Sequence, residues 1–337
     1  MSTTVWILLS IAWVVGVAVY GVVLGLLLAG VDRVLVARMQ GRIGPPVVQP
    51  FYDVAKLLRK QDCMPSGATP CVFRFAPVVA LAGALTALLY VPLGGLERGA
   101  LFPSCGDAIL LLYLLLLPGV AMVVGGFASG SPYASIGAQR EMLAMVSYEL
   151  PLATTVLVLA WRLAQAGAAA PFSLWTMSES PVWASAGPLG WVGAALLLLV
   201  MLLVLPGELG RIPFDAPEAE TELAGGLLVE YSGRSLALFE LAHAVKSVAL
   251  CGLMCALFAP WRPSVAWEGL ALPWAVTLDT LAFIAKSGLF MLAGVSLVRA
   301  AVARLRIDDI VRIYWKHLGG TAILGALLLI VDLWIQK

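Results

Sequence analysis

Eight apolar runs limit what this chain can become before any motif is read. They lie near residues 5–30, 72–93, 107–127, 142–163, 187–206, 235–259, 272–298 and 318–335. Each approaches the roughly 20 residues that a helix needs to cross a hydrocarbon core. Lipid supplies no water to satisfy open backbone groups, and uninterrupted runs lack the in–out alternation of barrel strands, so helices are the expected form. Composition agrees: 61% of the residues are hydrophobic and 12% charged, against roughly 25% charged in soluble domains. The expected fold is an all-α integral membrane protein, a bundle of about eight transmembrane helices in one membrane domain over residues 1–337. The first run begins at the N-terminus and has no A-x-A site, which fits a retained helix better than a cleaved signal. A formal net charge of +1 leaves no basic field to gather nucleic acid, so that partner is not expected.

Lys and Arg remain preferentially on the cytoplasmic side. With the N-terminus outside, the inside segments hold Arg33, Arg38, Arg42, Lys56, Arg59, Lys60, Arg74, Arg140, Arg211, Arg234, Arg299, Arg304, Arg306, Arg312 and Lys316, while Arg98, Arg162, Arg262 and Lys337 fall outside. That asymmetry predicts a multi-pass protein of the cell (inner) membrane with both termini out. The cytoplasmic loops are then 32–71, 128–141, 207–234 and 299–317.

Redox cofactors find little to hold them. The five cysteines, Cys63, Cys71, Cys105, Cys251 and Cys255, form no C-x-x-C pair, and iron–sulfur and zinc sites need closely spaced thiolates. Cys251 and Cys255 read as small buried thiols, and His243 and His317 are too few for a haem held between histidines. No metal or cofactor is expected on this chain, so redox chemistry nearby would belong to partners.

Function must then rest on ionisable groups that lipid disfavours. A charge at a helix centre costs roughly 2.5–3.5 kcal/mol on the mildest scale, so such groups face a bundle interior or a wet cavity. Glu149, Glu240, His243, Lys246, Asp279, Lys286 and Asp332 qualify. Glu240, His243 and Lys246 recur every three residues and Asp279 and Lys286 are seven apart, so each set is expected on one helical face. Buried carboxylates and lysines in file are what proton or ion transfer requires. Paired ions that only fix packing are the alternative, and that reading is preferred for Asp332 and His317.

Three inside segments carry motifs. In "QGRIGPPVVQPFYDVAKLLRKQD", residues 40–62, Gly and two prolines break the chain before an amphipathic stretch with Lys56, Arg59 and Lys60, which reads as an interfacial helix, either a membrane-surface anchor or a docking surface. "GSPYASIGAQREMLAMVSYELP", residues 130–151, sets Arg140 and Glu141 at the mouth of the fourth helix with Glu149 about 12 Å deeper at 1.5 Å per residue. "GELGRIPFDAPEAETELAGGLLVEYSG", residues 207–233, concentrates six carboxylates. Glu218 and Glu222 are i, i+4 there, a repulsive spacing on a helix unless cations or protons intervene.

"GRIPFDAPEAETELAGGLLVEYSG" resembles the acidic loop of the superfamily to which complex I subunit 1 (the H subunit) belongs, the membrane subunit that joins the peripheral and membrane arms. That superfamily includes a counterpart in energy-converting (group 4) nickel–iron hydrogenases of the formate hydrogenlyase, Ech and CO-induced types. The resemblance covers essentially the whole chain. Complex I members are similar to N-R-x-G-P-x-G-x-x-Q-P in the first loop, whereas this chain reads G-R-I-G-P-P-V-V-Q-P; and "GSPYASIGAQRE" carries Glu141 where complex I members tend to have Ala. Both departures resemble the hydrogenase branch, while "VSYELPL" does not discriminate.

The resemblance implies a subunit that anchors a soluble arm and couples its redox step to proton or sodium movement. It implies a nickel–iron centre and iron–sulfur clusters in partners: hydrogenase large and small subunits, an iron–sulfur electron-transfer subunit and an antiporter-like membrane subunit, all beside membrane lipid. Asp215, Glu218, Glu220, Glu222 and Glu230 match the acidic loop, and Glu141 and Glu149 the fourth-helix acids. With Glu240, Lys246, Asp279 and Lys286 these make the expected ion path. Arg42, Lys56, Arg59, Lys60, Arg140, Arg211, Tyr231 and Arg234 make the expected docking surface. A quinone-site subunit of a complex I-like NADH/quinone dehydrogenase and a passive membrane anchor are the two alternatives.

Overall fold

The computed structural model describes residues 3–94, 107–266 and 271–336. Eight of its helices are long and apolar enough to cross a membrane. We label the principal helices α1 (Thr3–Met39), α2 (Gln49–Arg59), α3 (Pro70–Tyr90), α4 (Ala108–Ala128), α5 (Pro132–Gln165), α6 (Pro188–Glu208), α7 (Gly233–Phe258), α8 (Leu272–Ala301) and α9 (Ile307–Gln336). All but α2 are membrane-length. Between α5 and α6 the chain forms two short helices, Leu174–Glu179 and Val182–Ser185.

The bundle is organised around α7. Its side chains from Val245 to Phe258 are buried without interruption, and α1, α3 and α8 pack against it. α7 is therefore enclosed by protein, where close helix packing rather than lipid surrounds its side chains. By contrast α1 sits at the edge, with Ile7, Leu8, Ile11, Val15 and Val19 exposed, as a lipid-facing helix requires.

With eight membrane-length helices among the described residues, the connections lie at the two ends of the bundle. At one end the loops touch one another: Thr69 N–H donates to Ala128 O, Cys63 N–H to Ser232 Oγ and Ser235 N–H to an Asp62 carboxylate oxygen. We call this the loop-bearing end. At the far end Arg162 of α5 meets Asp332 of α9 at 3.3 Å, both buried, and Asp332 also accepts from Gly187 N–H. That pair fastens helices, as the packing reading of Asp332 expects.

Several helices outrun their apolar stretches. The spacing predicts α1 ending near residue 30 and the fourth span starting near 142, yet α1 reaches Met39 and α5 begins at Pro132. Pairing explains the extension of α1. Asp32 is buried and accepts from Ser296 Oγ at 2.6 Å and Arg299 at 2.8 Å, and Arg33 meets Asp53 of α2 at 2.7 Å. Polar residues continue a helix wherever a neighbour satisfies them. For α5, Pro132 at the first turn is compatible with a helix start because its missing N–H has no helical partner there anyway.

Candidate functional site

Glu208, the last residue of α6, is where the site begins. Pro206 cannot donate to the carbonyl four residues back, and Gly207 has no side chain, so the Tyr314 ring can pack directly against the end of α6. Tyr314 lies in a π-helical turn of α9, Ile313–Leu318, and its hydroxyl donates to Leu203 O at 3.3 Å. Single π turns inside helices reposition side chains, often at functional sites. The result is a carboxylate directed into the bundle: Glu208 is 2% exposed and Lys246 of α7 is 3% exposed. Lys246 Nζ lies 2.6 Å from Glu208 Oε2. Apart from that ammonium, no donor among the described residues reaches either Glu208 oxygen.

Further carboxylates surround this pair. Glu141 of α5, Asp215 and Glu218 of the loop, and His243 of α7 line the same small cavity, whose volume of about 10 Å³ is room for one water. Glu141 lies within electrostatic reach of Lys246 and Glu208. Glu149, two turns deeper on α5, lies within reach of the same two groups, with its Oε2 buried and without a hydrogen-bond partner among the described residues. The imidazole of His243 sits 3.0 Å from Met122 Sδ. These groups form a connected series from the loop-bearing end toward the middle of the bundle.

The 207–233 loop roofs the cavity and is itself tightly held. Asp215 is gripped by Arg304, whose Nε donates at 2.9 Å, and Leu305 N–H donates to Pro213 O. Arg140 donates to Ala216 O at 3.3 Å and pairs with Glu222 at 2.6 Å. Gly137 allows α5 to approach the roof, since a Cβ there would stand 2.6 Å from Leu227 N and 2.9 Å from Pro217 O. Glu218 is half-buried beneath this roof. Burial pushes its carboxyl up to about 8, with Glu141 and Glu240 adding to the rise and Arg211 opposing it. Glu222, largely exposed, moves the other way, held below the usual range by its hydrogen bond and attraction to Arg140.

The structure separates residues that spacing groups together. Glu240, His243 and Lys246 do not share one face: Glu240 is exposed beside Arg211, in a cleft between α1, α2 and α7, whereas Lys246 turns to Glu208. A three-residue step drifts about 60° per repeat on a 3.6-residue helix, enough over two steps to change neighbours. Glu218 and Glu222 are not stacked either. Glu218 ends one short 3-10 turn (Ala216–Glu218), Ala219 is extended at φ −61° and ψ 99°, and a separate turn follows at Glu220–Leu223. Asp279 and Lys286 do share one face, lining one cavity, but lie away from the acidic cluster: Asp279 accepts from the Ser264 N–H and hydroxyl, and Lys286 donates to the Ala259 and Trp261 carbonyls. Glu230 is half-buried next to Tyr231, and the Glu220 side chain lies outside the described residues. Glu141 belongs to the interior of α5 rather than to its mouth, because the helix starts nine residues earlier.

Of the basic set, Arg42, Lys56, Arg59, Lys60 and Arg234 are exposed at the loop-bearing end, and Arg140 and Arg211 are half-buried. Residues 49–59 form the expected amphipathic helix. Val54 packs with Leu26 and Ala244, and Asp53, lining the same cleft, meets Arg33, whose guanidinium holds that carboxyl below its ordinary value. Tyr231 does not belong to the surface. Its ring stacks on Phe73 at 4.1 Å, its hydroxyl donates to Phe73 O at 3.1 Å, and it is 4% exposed. It therefore pins the loop to α3. Sequence reasoning missed Glu208 as an interior group. The available signal was its place at the end of an apolar run directly after Pro–Gly, with a lysine in the next span needing a counter-ion.

Comparison with known proteins agrees with this architecture. The family profile described as NADH dehydrogenase matches residues 11–330. The H subunit of NADH-quinone oxidoreductase from Geobacillus kaustophilus is 34% identical over 334 residues, covering 94% of this chain and 92% of the relative. Its counterpart from Thermomicrobium roseum is 31% identical, with 98% of each covered. Among solved structures, a chain from the membrane-bound sulfane sulfur reductase, an archaeal respiratory membrane complex, superposes with a TM-score of 0.80 at 25% identity, covering 95% of this chain and 99% of its own. The chain belongs to the family of NADH dehydrogenase subunit 1, the H subunit, as a multi-pass membrane component of a complex I-like respiratory complex.

Proposed function

We propose that this chain is the membrane-anchoring and energy-coupling subunit of a hydrogen-evolving nickel–iron hydrogenase complex, with its loop-bearing end in the cytoplasm. The observation that carries the coupling role is the enclosed cluster of Glu141, Glu149, Glu208, Glu218 and Lys246 beneath the tightly held acidic roof. Carboxylates placed so close together cannot all carry charge at low cost, so a change at the roof shifts proton occupancy within the cluster. An arm that sits on the roof and changes its charge during turnover thereby drives ion uptake. The exposed Arg42, Lys56, Arg59, Lys60 and Arg234 suit an acidic docking face. The chain itself holds no cofactor in this reading. The nickel–iron centre and iron–sulfur clusters belong to hydrogenase large and small subunits and an electron-transfer subunit, and an antiporter-like neighbour completes the membrane arm. The hydrogenase branch rests on Glu141 following Arg140 and on the shortened G-R-I-G-P-P loop.

A quinone-site subunit is the second reading. It is favoured by the names of the NADH-quinone oxidoreductase relatives and by the cleft of about 110 Å³ between α1, α2 and α7, which Leu26, Val54, Leu57 and Ala244 line together with Arg33, Asp53, Arg211 and Glu240. Purifying the complex and identifying its subunits separates the two. Hydrogen evolution from reduced ferredoxin, with a nickel-binding large subunit present, supports the first; reduction of a short-chain quinone by NADH without hydrogen evolution overturns it.

A further inference from the structure

The acidic cluster leaves off at Lys246, about halfway along α7, and a second polar series begins beside it. Ser247, Cys251, Cys255 and the carbonyl of Ala259 recur every four residues and so form one stripe. Opposite, α8 supplies matching groups. Cys251 Sγ lies 3.8 Å from Ser287 O, the Ser287 hydroxyl is buried within electrostatic reach of the Cys255 thiol but without a hydrogen-bond partner among the described residues, and Lys286 Nζ donates to Ala259 O at 2.8 Å. From α1 the Tyr20 hydroxyl, buried and without a hydrogen-bond partner among the described residues, lies within electrostatic reach of Cys255. At the far end Cys255, Ala259, Trp261, Asp279 and Lys286 line a cavity of about 30 Å³, room for about two waters.

Length gives the series its meaning. Twelve residues at 1.5 Å each carry the stripe about 18 Å, enough to traverse the half of a ~30 Å hydrocarbon core that the acidic cluster leaves uncrossed. Packing alone accounts for small residues in this seam, since alanine would serve as well as cysteine. It does not account for a buried phenol with no hydrogen-bond partner among the described residues, costly in a low-dielectric interior, nor for the half-buried Lys286 held on two backbone carbonyls where the seam ends.

We propose that the α7–α8 seam is the second half of a transmembrane ion path, joining the Glu208–Lys246 pair to the far face, and that it carries protons rather than sodium. The proposal rests on the coupling role described above. Hydroxyls, thiols and an amine with intervening water pass protons by exchanging hydrogen bonds. A hard cation instead needs several oxygen ligands at once, and the thiols of Cys251 and Cys255 line the middle of this seam.

The test uses the complete complex in proteoliposomes, driven by reduced ferredoxin, with internal pH followed by a dye and assembly checked on native gels. Cys255→Leu and Lys286→Met are expected to lose the gradient, and Cys255→Ser to keep it because a hydroxyl can replace the thiol. A gradient retained in Cys255→Leu and Lys286→Met but lost in Glu141→Gln overturns the seam and leaves the upstream reading standing. A gradient retained in Glu141→Gln as well overturns both. A second measurement does not depend on those variants assembling. In a Cys63→Ser/Cys71→Ser/Cys105→Ser background, a small cationic thiosulfonate added at the far face should modify Cys255, and a Cys255 that stays unmodified means the seam is dry and the proposal fails. Acidification that requires sodium in the medium overturns the choice of proton.

Discussion

Lys246 Nζ and Glu208 Oε2 stand 2.6 Å apart with both side chains almost wholly buried. Among the described residues neither has another close ion-pair partner. Removing one member of such a pair strands a buried charge and costs about 3–5 kcal/mol, whereas replacing both by apolar groups is often neutral. Thermal unfolding of the purified complex should therefore show Glu208→Leu and Lys246→Met each strongly destabilising, and the double variant recovering most of the loss. Additive losses in the double variant would mean that the two side chains are not coupled.

Glu218 supplies a pH signature. Its carboxyl is raised to about 8 by burial, from an ordinary value of 4.5. It therefore holds its proton at neutral pH, and the stability linked to that proton is full below about pH 4.5 and declines as pH rises through about 8. Difference infrared spectroscopy should show a carboxylic C=O band that disappears with a midpoint near pH 8 and is missing in Glu218→Gln. A midpoint near 4.5 would place this side chain in water.

The Arg140–Glu222 pair should behave differently. Its carboxylate is about half exposed at 48%, and exposed pairs contribute roughly 0–1 kcal/mol. Glu222→Gln is expected to shift the unfolding temperature little, and by less still at high salt. Arg140→Ala removes a donor to Ala216 O as well, so it should loosen the roof more than Glu222→Gln does, which limited proteolysis within residues 207–233 can measure.

Tyr231 separates packing from hydrogen bonding. Tyr231→Phe loses one hydrogen bond to Phe73 O, worth about 1 kcal/mol. Tyr231→Ala also loses the stack on Phe73 and the edge contact with Phe239 at 4.9 Å, and an aromatic truncation of this kind costs about 3–5 kcal/mol. Equal losses in the two variants, read by thermal unfolding, would show that the ring does not anchor the loop.

Much of the fold was legible because lipid imposes a simple rule: apolar runs of sufficient length must be helices. The runs do not mark helix ends. Asp32 and Arg33 continue α1 only because Arg299, Ser296 and Asp53 satisfy them across the chain, a distant pairing that no local window reports. The acidic loop was visible as a density of carboxylates, and the need for interior charge followed from the cost of placing it in lipid. Which acids join the cluster was not visible. Helical drift turns Glu240 out of the cavity into the neighbouring cleft, from which it still acts on Glu218, Glu222 is drawn off by pairing with Arg140, and Glu208 enters the cluster through Pro206, Gly207 and the packing of Tyr314.

In the proposed role, Glu141, Glu208 and Lys246 couple a redox arm to ion movement. The most direct measurement is the ratio of ions moved to electrons transferred in proteoliposomes that hold the assembled complex, comparing wild type with Glu141→Gln. The variant is expected to assemble, with this ratio falling to near zero. An unchanged ratio in the assembled variant would contradict it and leave the chain a passive anchor.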